Sequence, residues 1–101
     1  MIKFYEVIMT GEKFTQTDKT KKPYTIKEVW INNNDVVKLS LDETMVNHLK
    51  MGLLPEGLNE HTRFTKVIMK SGTIVVAGSP EEVSKKLNGN KKIKEKMLLK
   101  G

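Results

Sequence analysis

Apolar positions along the chain follow two periods, and the change from one to the other marks the elements. In IKFYEVIM, residues 2–9, Ile2, Phe4 and Ile8 fall on one side of an extended chain and Tyr5, Val7 and Met9 on the other. That period of two, with β-branched and aromatic residues, predicts a strand partly covered on both faces. Thr10-Gly11-Glu12 reads as a turn, and no apolar residue stands between Phe14 and Pro23, which predicts a loop over residues 15–23. YTIKEVWI, residues 24–31, alternates again, with Tyr24, Ile26 and Trp30 on one side and Val29 and Ile31 on the other. The amides Asn32-Asn33-Asn34-Asp35 then mark a turn, and DVVKLSL gives a short third strand.

At Ser40 the period lengthens. Ser40 with Glu43 three residues on has the form of a capping box, Met45, Val46 and Leu49 share a helical face, and Gly52 stands where a left-handed C-cap would. A helix is predicted over residues 42–51, then an irregular connection at 53–61 containing Pro55 and Gly57. Strands are predicted at 63–70 and 73–77, joined by a tight hairpin at Ser71-Gly72. Ser79-Pro80-Glu81-Glu82 places a serine at the N-cap, a proline at N1 and a glutamate at N3 of a helix over 80–87, which stops at Asn88-Gly89-Asn90.

These elements specify one α+β domain over residues 1–87: a small twisted antiparallel sheet or open barrel of about five strands with two short helices. Residues 88–101 follow as a basic, helix-compatible C-terminal tail. A chain of 101 residues can bury one core without a staple. It contains no cysteine, which removes disulfides, thiolate metal sites and cysteine nucleophiles from consideration. The N-terminus has no long apolar block, so neither a signal peptide nor a transmembrane segment is expected and a cytoplasmic setting is the default.

Charge changes the picture only when it is located. Residues 1–83 carry eleven basic and eleven acidic side chains, so the formal net charge of +6 lies entirely in residues 84–101. There Lys85, Lys86, Lys91, Lys92, Lys94, Lys96 and Lys100 stand against Glu95 alone. These seven lysines are the candidate contacts for nucleic acid or for an acidic partner. The predominance of lysine over arginine disfavours specific base reading.

The remaining candidate chemistries do not assemble. The glycine turn before the second helix lacks the spacing of a phosphate loop, and Glu81 and Glu82 would meet the anion. His48 and His61 have no metal-ligand spacing and read as a helix-surface and a loop histidine. Asp42-Glu43 and Glu81-Glu82 fall at helix starts, where acidic residues complement the dipole. Tyr24 and Trp30, with Lys27 between them, have the composition of a base-stacking surface, but alternation places Glu28 on their face, and both read as core or rim packing. No catalytic residue, metal or cofactor is expected.

Met1-Ile2 with Gly11, Ile31-Asn32 followed by Asp35-Val36-Val37, Val67-Ile68 with Ser71-Gly72, and Ser79 with Glu81-Glu82-Val83 follow one another as in the FlbD-type flagellar and swarming-motility small proteins of bacteria, which the chain resembles over about half its length. The resemblance implies a compact β-rich fold with a terminal helix and no catalytic residues. The chain departs from the pattern by an insertion at 42–61 and by the basic tail. The expected function is that of a non-catalytic binding or adaptor protein, of bacterial or phage type, docking on a larger protein. The alternatives are a nucleic-acid-binding accessory protein using its tail, and a protein that binds or sequesters a nucleotide-like small molecule. A homodimer through an edge strand, 2–9 or 24–31, is a further expectation.

Overall fold

In the computed structural model residues 1–10 and 22–89 are described. Five strands form one sheet: β1 (Ile2–Met9), β2 (Tyr24–Ile31), β3 (Val36–Leu41), β4 (Phe64–Met69) and β5 (Gly72–Ala77). They lie in the order β2-β1-β5-β4-β3 and all pair antiparallel. The sheet is open, with β2 and β3 at its edges. The first strand is therefore interior, and only residues 24–31 of the two segments expected at an edge are there. Helix α1 (Glu43–Lys50) lies in the β3–β4 connection and α2 (Pro80–Leu87) follows β5.

Alternation along the strands builds two cores, one on each face. Phe4, Ile31, Val67 and Val76 meet Val83 and Leu87 of α2, while Val7 and Phe64 meet Met45 and Val46 of α1 and Leu54 beyond it. Phe4 and Val7 are an odd number of residues apart, as are Phe64 and Val67, so each strand contributes to both cores.

Two local expectations are corrected. The N-cap of α1 is Asp42, not Ser40: its carboxylate accepts from the Met45 N–H at 3.0 Å, and its own N–H donates to Phe64 O. Ser40 instead sits in β3 opposite Lys66, because the strand ladder continues to Leu41. The β4–β5 hairpin turns at Lys70-Ser71, one residue earlier than expected, with Met69 opposite Gly72. Asp35 fixes that turn, its carbonyl accepting from Lys70 N–H and its carboxylate from the Ser71 hydroxyl. The second helix starts as expected, with Ser79 Oγ accepting from Glu82 N–H at 3.2 Å. No helix among the described residues is long and apolar enough to cross a membrane.

Candidate partner-binding groove

The seam between β1 and β5 holds only two paired positions, Glu6 with Val76 and Val7 with Val75. Beyond them β5 is drawn towards β4. Gly78 N–H donates to Arg63 O at 2.8 Å, and the buried Thr65 hydroxyl donates to Gly78 O at 2.8 Å. Gly78 makes this bend at φ +117, a conformation that L side chains rarely adopt. The first half of β1 is thereby left without a strand neighbour on that side, and a groove of about 280 Å³ opens between it and α2.

Phe4 and Tyr5 form one wall, Ala77 and Gly78 the end, and Val83, Lys85 and Lys86 the α2 wall, with Glu82 at the rim. Lys86 reaches across the groove. Its Nζ lies 5.3 Å from the Phe4 ring centroid and 3.4 Å from Lys3 O, so both groups that hold the ammonium are neutral. Glu82 stands four residues before Lys86 and Glu81 four before Lys85, yet neither pair closes to an ion pair among the described residues. A second hollow, of about 320 Å³, lies against Asn59, His61, Thr62 and Arg63 and shares Ala77, Gly78 and Glu82 with the first. The two meet over the β5–α2 turn.

Next to the groove, β1 and β2 present an uncovered corner of the sheet. Tyr5 is 44% exposed and Trp30 58%. Lys3 stands opposite Trp30 and Tyr5 opposite Glu28, with Lys3 Nζ 3.8 Å from the Glu28 carboxylate and 5.6 Å from the Tyr5 ring centroid. Trp30 is thus a surface residue beyond the reach of the α1 core, while Tyr24 on the same face is half-buried and stacks on His48 at 5.3 Å between ring centroids. Glu28 does share their face, as alternation requires. His48 is half-buried rather than a surface histidine, and its buried Nδ1 has no hydrogen-bond partner among the described residues. His61 is exposed in the loop, 3.4 Å from Glu60.

Of the sequence-predicted site residues, Lys85 and Lys86 are brought together on the groove wall. Lys91, Lys92, Lys94, Lys96 and Lys100 lie outside the described residues. Among the described residues no three His, Asp or Glu side chains converge as a metal site would require. Phe4 and Tyr5 were not marked by their own sequence. Their place at a groove depends on β1 meeting β5, a pairing across most of the chain that no local pattern announces. Comparison with protein-family models, curated proteins and solved structures finds no match for the chain.

Proposed function

We propose that the protein is a non-catalytic docking protein, and that the groove between β1 and α2, with the Tyr5–Trp30 corner beside it, is where a larger protein is held. One observation carries the reading: a groove lined by Tyr5 and Ala77 over the buried Phe4 and Val83 is bordered by two lysines that no carboxylate among the described residues neutralises. Exposed Tyr and Trp side chains are the types that dominate binding energy at protein interfaces. The Glu28 carboxylate between them opposes a phosphate backbone. The groove is at the small end for a ligand pocket of the kind that encloses a nucleotide-like molecule.

The test is a photo-crosslinking phenylalanine analogue at position 5 of the full chain, irradiated in nuclease-treated bacterial lysate. A discrete protein adduct is expected, and it should weaken in the Trp30→Ala variant. Absence of any adduct at position 5, with adducts from an analogue placed on another surface, would move the site elsewhere.

A second reading has its own observation, the confinement of the whole +6 charge to residues 84–101. On that reading the tail lysines bind nucleic acid weakly, without sequence preference and with steep salt dependence. Nucleic acid recovered with the full chain, and lost on nuclease treatment, distinguishes it.

A further inference from the structure

Resting on the groove as the docking site, we infer that its occupant is an acidic peptide segment of the partner, with an apolar side chain against Tyr5 and Ala77 and carboxylates meeting Lys85 and Lys86. Lys86 is the informative residue. Among the described residues it is anchored by an aromatic face and a backbone carbonyl, both neutral, and it spans an opening lined largely by apolar residues. An ammonium held so is poised to exchange a long contact of 3.4 Å with the neutral Lys3 O for a shorter hydrogen bond to a carboxylate, in which both partners are charged. The lining sets the second requirement, since Tyr5, 44% exposed, and the half-buried Ala77 offer apolar surface beside the lysines that an acidic side chain alone would leave uncovered. The chain's own C-terminal segment is the wrong sign to serve: residues 90–101 carry five lysines and one glutamate, and would bring like charge to Lys85 and Lys86.

The experiment uses the full chain and three probes: short peptides with one phenylalanine or leucine flanked by glutamates, the same peptides with glutamine for glutamate, and a single-stranded oligonucleotide. The glutamate peptides are expected to bind up to about tenfold more tightly than the glutamine peptides, since two partly exposed charge pairs, one to each lysine, together approach that factor. Added salt should erode the difference. Joint Lys85→Glu and Lys86→Glu substitution should reverse it in favour of lysine-flanked peptides.

Glu82→Trp, at an exposed rim position, should block binding by filling the groove although it removes a negative charge. Tyr5→Ala should weaken binding by removing a wall, and unchanged thermal unfolding would show both variants folded. Equal binding of glutamate and glutamine peptides, both blocked by Glu82→Trp, overturns the acidic partner and leaves the groove standing. A glutamate preference untouched by both Glu82→Trp and Tyr5→Ala overturns the groove itself. Tighter, competing binding of the oligonucleotide, displacement of peptide by a second copy of the chain, or no peptide binding at all would each overturn the inference.

Discussion

At Gly78 both backbone polar groups are committed to β4, the N–H to Arg63 O and the carbonyl to the Thr65 hydroxyl. Thr65 is fully buried, so a Thr65→Val variant keeps its shape but leaves a carbonyl unsatisfied. A loss of roughly 1–3 kcal/mol is expected in urea unfolding. Gly78→Ala should cost a similar 1–3 kcal/mol through its positive φ. The cost is not steric, since an added Cβ would meet the Val83 side chain at an ordinary 3.6 Å. Leu87 closes the α2 core at the far end of the helix, and Leu87→Ala should lose roughly 2–5 kcal/mol. By contrast, Lys86→Gln removes a charge from an exposed side chain and should leave the unfolding midpoint nearly unmoved while weakening binding.

The cap of α1 is a test at the scale of the element. Asp42→Ala should destabilise by about 1 kcal/mol, and Ser40→Ala should have far less effect, the reverse of what the Ser40–Glu43 spacing suggests. Serine at that spacing is a sound signal, but the β3–β4 ladder holds residues 40 and 41 extended and passes the cap to the next polar residue. The Ser79-Pro80 start of α2 was fully legible because nothing non-local competes for it. Likewise the strand boundaries of β1 and β2 follow from alternation alone, whereas which strand lies at an edge does not.

Nothing pairs with the outer edge of β2 among the described residues, and its charge pattern bears on self-association. A two-fold axis normal to the sheet pairs only residues on the same face. The longest overlaps of β2 with its own copy are therefore centred on Lys27 or on Glu28 and set like charges opposite. Lys27→Thr removes one obstacle and would place Trp30 opposite Tyr24 of the second copy. A concentration-dependent dimer in sedimentation is expected of that variant, and an unchanged mass would show that the edge is guarded by something other than charge.

For the whole molecule, the separation of a balanced body from a basic end makes its two binding readings separable by substitution in the tail. Replacing Lys91, Lys92, Lys94, Lys96 and Lys100 with glutamine removes five of the six net positive charges and should abolish binding to nucleic acid. The same replacement should leave the position-5 crosslink in place, because the groove lysines are on α2. Loss of that crosslink would show that the tail takes part in protein docking as well. The location of charge was open to reading from the sequence, but the trough was not, because Phe4 and Lys86 are brought together only by the sheet order.

The seam between β1 and β5 also has a kinetic consequence. It joins the strands most distant along the chain, with two paired positions, while every other neighbouring pair of strands shares at least five. Closing it confines the longest loop in the molecule, an entropy that must be met before many contacts repay it. The meander β3–β4–β5 with its helices should form first and the β1–β2 hairpin join last. In the native state the same hairpin should detach as a unit, so its amides should exchange hydrogen together and sooner than those of β4. A segment seated between β1 and α2 would bridge the two units, and its arrival should register as slowed exchange throughout the hairpin, well beyond the residues it touches.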